Sequence, residues 1–259
     1  MALIGISGKA QSGKDTIGKI IQYLQWKYSS PKYLYEGDTI ELLKQNSMMF
    51  VPKGTRGFVS IPLESGWEIK KFADKVKEIT SLLTGIPVSE LEKEEVKKSN
   101  LPEEWNTYDF EIKSMSVREM LQKIGTDCMR KNLHPNTWVN ALFADYKSVK
   151  MDQYYPSNWI ITDVRFPNEA HAIKEKGGIL IRVNRNRFRC SNCSSLVVGA
   201  WSCQNCGTDQ LISEPYSFHE SEIALDTYKN WDYIVDNNSS FEKLINEIDE
   251  IFTGKLWQI

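Results

Sequence analysis

The sequence predicts a three-layer α/β fold, with helices covering both faces of a parallel sheet. Three observations carry that expectation. Leu3, Ile4 and Ile6 form a short apolar run that ends in a glycine-rich turn, and Ile17, Ile20, Ile21 and Leu24 follow at helical spacing, so the chain opens strand, loop, helix. Residues 159–161 and 179–183 are two buried-strand runs separated by a segment that starts at Pro167 and stops at Gly177 and Gly178, the spacing of a parallel crossover. The 259 residues are 41% hydrophobic and 25% charged, which gives a folded chain enough apolar side chains for a large core.

The remaining elements follow in order. Residues 31–66 carry Pro31, Pro52 and Pro62 with little periodicity and predict short strands and loops. Residues 69–72 read as a strand feeding a helix over 73–83, stopped by Gly85 and Pro87; 88–100 reads as a charged, exposed helix or loop. Ser116 and Glu119 have the spacing of a capping box, and Val117, Met120, Leu121 and Ile124 supply the apolar stripe of the helix they open. A helix after Pro135 runs through Trp138, Val139, Leu142 and Phe143. Near the end, Tyr233, Ile234 and Val235 form a strand, 236–238 a turn, and Phe241, Leu244, Ile245, Ile248 and Ile251 an amphipathic helix.

Charge excludes some partners. Lys plus Arg total 32 against 34 Asp plus Glu, a formal charge of -2, so no polybasic coat for nucleic acid or membrane is expected. The first apolar stretch, residues 2–6, is far too short for a secretory segment or a membrane span, and a cytoplasmic protein with no membrane partner is the expectation.

Residues 8–14, Gly8-Lys9-Ala10-Gln11-Ser12-Gly13-Lys14, match G-x-x-x-x-G-K after a strand and before a helix. In that setting backbone N–H groups turn onto phosphate oxygens, the helix N-terminus adds its dipole, and Lys14 supplies a mobile charge. Gly8, Gly13, Lys14, Asp15 and Thr16 are therefore the expected ATP-binding residues. Asp15 stands where a Ser or Thr hydroxyl would usually reach Mg²⁺; either its carboxylate holds the ion through water, or it is a favourable acidic first-turn residue. Asp163, after the strand at 159–162, is the expected second magnesium residue, and Arg165 would aim into the same crevice as a catalytic cation.

Phosphoryl transfer also needs arginines that clamp the acceptor and cover the transferring group. Arg118 and Arg130 flank Gln122, Gly125 and Thr126, while Arg182, Arg185, Arg187 and Arg189 crowd eight residues; Arg185 and Arg187 are the catalytic candidates among them.

Several blocks resemble the deoxynucleoside monophosphate kinases of tailed phages: residues 13–16 in the loop, 71–74 with Lys77 and Glu78, 118–127 leading to Trp138 and Val139, and above all Thr162-Asp163-Val164-Arg165-Phe166-Pro167-Asn168-Glu169-Ala170. The resemblance spans roughly residues 1–30, 67–184 and 214–250. It implies a P-loop kinase that moves the γ-phosphate of ATP to a deoxynucleoside 5′-monophosphate. It further implies that Arg118, Gln122, Thr126 and Arg130 form the monophosphate pocket, with Phe72 against the base. The block His219-Glu220-Ser221-Glu222 resembles one near the active site of such kinases, which nominates Glu220, and the turn at Asp236-Asn237-Asn238-Ser239 resembles one that approaches adenine, which nominates Asn237 for ATP. A plain strand-to-helix turn explains that last block nearly as well. On this reading, residues 1–30, 67–84, 151–188 and 214–259 form the kinase core, 31–66 and 85–150 the monophosphate-binding region, and 189–213 a lid.

The lid region holds four of five cysteines as two C-x-x-C pairs, Cys190 with Cys193 and Cys203 with Cys206, the spacing of a structural zinc ribbon inserted outside the resemblance. Leu196, Val197, Val198 and Trp201 would give it a hairpin and an apolar cap. Cys128, alone between Asp127 and Met129, reads as a buried helix residue. Two other functions stay open at this level: a kinase of the dephospho-coenzyme-A type, with a larger acceptor, and a zinc-ribbon ATPase that binds nucleic acid, against which the near-neutral charge weighs. Base and sugar preference are not legible, and a second copy of the chain stays open as a partner.

Overall fold

The computed structural model describes residues 2–29, 49–50, 59–60, 67–108, 112–144, 146, 158–213 and 220–255. Most of 31–66, together with His219, lies outside them. The chain divides into two compact units, Met1–Lys70 with Gln153–Ile259, and Lys71–Asp152. The helix after residue 72 thus belongs to the second unit, whereas the sequence division places it with the first.

Twelve strands are described: β1 (Leu3–Gly8), β2 (Met49–Phe50), β3 (Val59–Ser60), β4 (Trp67–Lys70), β5 (Thr107–Tyr108), β6 (Ile112–Lys113), β7 (Asn158–Val164), β8 (Ile179–Asn184), β9 (Arg187–Cys190), β10 (Leu196–Val198), β11 (Leu211–Ser213) and β12 (Tyr233–Asp236). In the first unit β12, β8, β1, β7 and β4 lie side by side in that order, and every pairing is parallel. The near-continuous apolar runs of β1 and β7 follow from burial on both faces.

Alternation along the strands sorts the two faces. Ile4, Ile6, Ile160, Ile181, Val183 and Val235 meet Ile17, Ile20, Ile21 and Leu24 of the helix Lys14–Ser29 and Leu244, Ile245, Ile248 and Phe252 of the helix Phe241–Lys255. On the opposite face the helix Pro167–Glu175 covers β1 and β8, with Ile173 and Ala170 fully buried. Each such aliphatic side chain contributes about 2 kcal/mol of transfer free energy, so these two layers account for most of the unit's cohesion. Among the described residues no helix is long and apolar enough to cross a membrane.

A separate antiparallel sheet, ordered β10, β9, β11, follows β8 after two residues and carries the cysteines. Val197 is buried there, but Trp201 is 66% exposed and its ring lies tilted against Phe188, with centroids 5.8 Å apart, so it does not cap the module as expected.

The second unit is helical. Its described α-helices are Ala73–Thr84, Val88–Leu91, Glu94–Lys98, Val117–Gln122 and Thr137–Ala144, so residues 88–100 form two short helices. Val76, Leu91, Val117, Met120, Ile124, Trp138 and Leu142 are buried. The capping box forms as the sequence predicts: the Ser116 hydroxyl accepts from the Glu119 amide, and the Glu119 carboxylate accepts from the Ser116 amide at 2.8 Å. The helix does not end at Gln122; it widens into a nine-residue π-helix, Lys123–Lys131. Widening frees carbonyls from the α pattern, and the Trp138 indole donates to that of Gly125 at 2.7 Å. Ile124 is the last buried residue of this segment, and Cys128 beyond it is exposed, contrary to the sequence expectation.

Candidate active site

Parallel strands end on one edge of their sheet, and ligands of open α/β sheets bind beyond that edge. The turns after β1, β7, β8 and β12 all open there, which brings Lys14, Asp163, Arg165, Arg185 and Asn237 to one side of the first unit.

The turn after β1 closes on itself, with the Ser12 amide donating to the Lys9 carbonyl at 3.2 Å. Gln11 and Gly13 take positive φ values, 62° and 97°, and a Cβ at Gly13 would overlap the Asn237 carboxamide. Asn237 is buried, and its Nδ2 donates to the Ser12 carbonyl at 2.8 Å while its own amide donates to Asn184. The residue nominated for adenine therefore braces the loop. Gly8 closes β1 and Thr16 lies in the first helical turn, half-buried.

Lys14 folds over the loop, its Nζ donating to the carbonyls of Gly8 at 2.8 Å and Lys9 at 2.7 Å. Burial, and then the nearby Arg165 guanidinium, lower its pKa to about 8; the carboxylates of Glu222, Asp15 and Asp163 oppose the shift only in part. The Ser12 hydroxyl is buried inside the turn with no hydrogen-bond partner among the described residues. A buried ammonium and an unanswered hydroxyl in a glycine-bearing turn before a helix fit a polyphosphate.

Asp15 Oδ1 accepts from the Thr162 hydroxyl at 2.7 Å, so Asp15 is fixed beside the strand that carries Asp163. Asp163 is largely buried near the end of β7. Two hard carboxylate oxygen donors fit Mg²⁺. Glu169 caps the next helix by accepting from the amides of Arg165 at 2.7 Å and Phe166 at 3.1 Å, which orients the Arg165 backbone. The Arg165 guanidinium donates to Glu222. Sequence reasoning nominated Glu220, which is exposed; two residues on, Glu222 is the one that reaches the loop. The signal lay in the same four-residue block, where two residues, a little over half a helical turn, separate the exposed carboxylate from the one that faces the loop.

The four crowded arginines do not converge. Arg182 Nη1 reaches the Ser7 hydroxyl at 3.3 Å, Nη2 reaches Asp226 at 3.4 Å, and the guanidinium lies 5.5 Å from the Trp231 ring centre. Arg185 donates to the Gln11 carbonyl at 3.4 Å. It passes under Gly199 of the cysteine module, where φ is 66° and a Cβ would stand 3.0 Å from Nη2 and closer still to Nε. Arg187 is half-buried on β9, and Arg189 turns back to the Ser194 carbonyl at 2.9 Å.

The sulfur atoms of Cys190, Cys193, Cys203 and Cys206 all lie within 4.8 Å of one another, two of the separations being 3.5 Å. Ligands about 2.3 Å from a tetrahedral zinc stand nearly 4 Å apart, so the four thiols fit that ion. Contacts with Ser195 and Asn205 bring the Cys193 thiol down to about 5, whereas burial pushes the neighbouring Cys190 thiol up to about 11.

In the second unit, Arg118 is exposed and pairs with Glu94 at 2.6 Å. Gln122 is exposed; Thr126 and Arg130 are half-buried on the π-helix. Phe72 is 4% exposed and meets Phe143 edge-on with centroids 6.3 Å apart, so it is a core residue with no free ring face for a base. Lys77, one of the residues that carry the family resemblance, is buried in the helix Ala73–Thr84 and paired with Asp74 at 3.3 Å and with Glu92.

Comparison with known proteins adds two kinds of likeness. Residues 68–194 match the family described as deoxynucleotide monophosphate kinase. A protein of Acanthamoeba polyphaga mimivirus, provisionally named deoxynucleotide monophosphate kinase, is 25% identical over 190 residues, covering 71% of this chain and 81% of that one. The deoxynucleoside-5′-monophosphate kinase of Escherichia phage T5 is 29% identical over 192 residues, 67% of this chain and 72% of its own.

Proposed function

We propose that the chain carries the activity of the proteins it resembles: it is a nucleotide kinase that transfers the γ-phosphate of ATP to deoxynucleoside 5′-monophosphates, forming the diphosphates that feed DNA synthesis. The observation that carries this reading is the phosphate loop at the edge of the parallel sheet, with Lys14 folded over it and Asp163 and Arg165 at the end of the adjacent strand. In the reaction an oxygen of the acceptor phosphate forms a bond to the γ-phosphorus while the bond to the β,γ-bridging oxygen breaks, and ADP leaves with that electron pair.

The chain's own residues bind and orient. Loop amides, the Ser12 hydroxyl and Lys14 hold the donor phosphates, and Asn237 keeps the loop in shape. Arg165 and Arg185 bring positive charge to the transferring group. Asp15 and Asp163 would hold Mg²⁺, which neutralises phosphate charge when bound. Arg118, Gln122, Thr126 and Arg130 are the acceptor-binding residues in this reading, and Arg118 would exchange Glu94 for phosphate. The cysteine module would hold one structural zinc and serve as a lid.

The test is to offer each deoxy- and ribonucleoside monophosphate with Mg-ATP and measure diphosphate formation. Turnover of one or more deoxynucleoside monophosphates is the expected result. Phosphorylation of dephospho-coenzyme A alone, or ATP hydrolysis that depends on DNA and spares every monophosphate, would refute it.

A further inference from the structure

The phosphate loop already holds an anion, and the chain itself supplies it. Glu222, in the short helix Glu220–Ile223, places Oε2 2.8 Å from the Ala10 amide, while Oε1 accepts from the Arg165 guanidinium; its side chain is 9% exposed. A backbone N–H inside a glycine-rich turn and a guanidinium at the neighbouring strand end are the donors that bind phosphate oxygens most strongly.

The segment is anchored from several directions. The Lys9 ammonium donates to the Glu222 carbonyl and pairs with Asp226 at 2.5 Å, and Arg182 reaches the same Asp226. Arg165 Nη1 also lies 3.5 Å from the Ser221 hydroxyl. These contacts hold the carboxylate in the loop.

We propose that Glu222 is a positioning residue that stands in for a phosphate of the donor nucleotide: in the free chain it keeps the Ala10 amide satisfied and Arg165 aimed at the loop, and it surrenders both donors when the nucleotide binds. The proposal rests on the kinase reading above. Two anions cannot share donors a hydrogen bond apart without strong repulsion, so nucleotide binding is an exchange of one anion for another. Arg165 is then never buried without a counter-charge, and its guanidinium reaches the transferring group along the direction that Glu222 set.

Removing the competitor should tighten binding, which a merely structural contact would not do. Glu222→Gln keeps the shape and gives up the charge-assisted bonds. In calorimetric titrations of the full chain, it should bind both ATP and inorganic tripolyphosphate roughly five- to tenfold more tightly than the parent. The KM for ATP should fall with it, and kcat should not rise. Glu222→Asp, whose carboxylate is one methylene short of the loop, should move the same way by a smaller factor and serves if the glutamine variant fails to fold. Unchanged or weaker ATP binding by a folded variant, with the parent binding ATP normally, overturns the proposal and spares the kinase reading. A parent chain that binds no ATP overturns both.

Discussion

The Thr162 hydroxyl donates to the Asp15 carboxylate over 2.7 Å, tying the residue after Lys14 to the residue before Asp163. The start of the helix and the end of β7 are thus fastened together next to Asp163. Thr162→Val removes the bond while conserving shape, and should raise the Mg²⁺ concentration for half-maximal turnover about three- to tenfold with little change in thermal stability. Asp15→Ala should raise it at least as far. Magnesium titrations of turnover decide the matter: an unchanged requirement in both variants assigns Asp15 to the helix dipole alone.

Lys14 makes ATP binding depend on pH in the alkaline range. Its pKa of about 8 in the free chain lies below the ordinary 10.5, so above pH 8 the loop loses its cation, and bound phosphates must restore the proton. ATP affinity should fall as pH rises past 8, and titrations near pH 8.5 in buffers of different ionisation enthalpy should reveal proton uptake. Stability moves oppositely: the unfolded chain holds the proton up to 10.5, so unfolding becomes harder between about pH 8 and that value. Lys14→Met should abolish turnover, remove the proton uptake and leave the fold intact.

Arg118 and Arg130 should separate acceptor from donor. Arg118 pairs with Glu94 at the surface, a contact worth less than about 1 kcal/mol, so Arg118→Ala should cost little stability. Either arginine-to-alanine change should raise the KM for the monophosphate by roughly tenfold or more and leave the KM for ATP nearly unchanged. Steady-state kinetics with each substrate varied in turn checks this, and a shift confined to ATP would move these residues to the donor side.

One zinc per chain is expected on the four thiols. Cys190→Ser with Cys193→Ser should release it, preserve ATP binding and most helix content, and lower turnover, because Gly199 packs over Arg185 and the freed module would no longer hold that guanidinium near Gln11. Metal analysis, circular dichroism and turnover together read the outcome; full activity without metal, or collapse of the whole chain, contradicts it.

The architecture was legible wherever a periodic apolar pattern met a strong punctuation signal. The loop from Gly8 to Lys14, the strand before Asp163, the capping box at Ser116 and the paired cysteines all carry their geometry in short spacings. What was not legible depends on which way a side chain turns after a bend. Asn237 turns its carboxamide onto the Ser12 carbonyl of the loop, a contact that only the tertiary placement of β12 decides. Phe72 reads as a motif aromatic, yet its neighbour across the helical unit, Phe143, lies 71 positions later and covers it. Glu220 and Glu222 are chemically alike, and the orientation of one helical turn separates surface from site.

The π-helix from Lys123 to Lys131 also sets a phase. At 3.6 residues per turn, the twelve steps from Arg118 to Arg130 would leave the second arginine about a third of a turn away from the first. A π-helix takes about 4.4 residues per turn, and with α geometry only as far as Lys123 the accumulated rotation returns to within roughly ten degrees of whole turns. Gln122 and Thr126 then fall within about forty degrees of the same line. The widened segment works as a vernier: it trades backbone regularity for a straight row of four polar groups. Forcing the segment into α form without changing its length would swing Arg130 about a third of a turn out of that row, a lesion of angle rather than of chemistry.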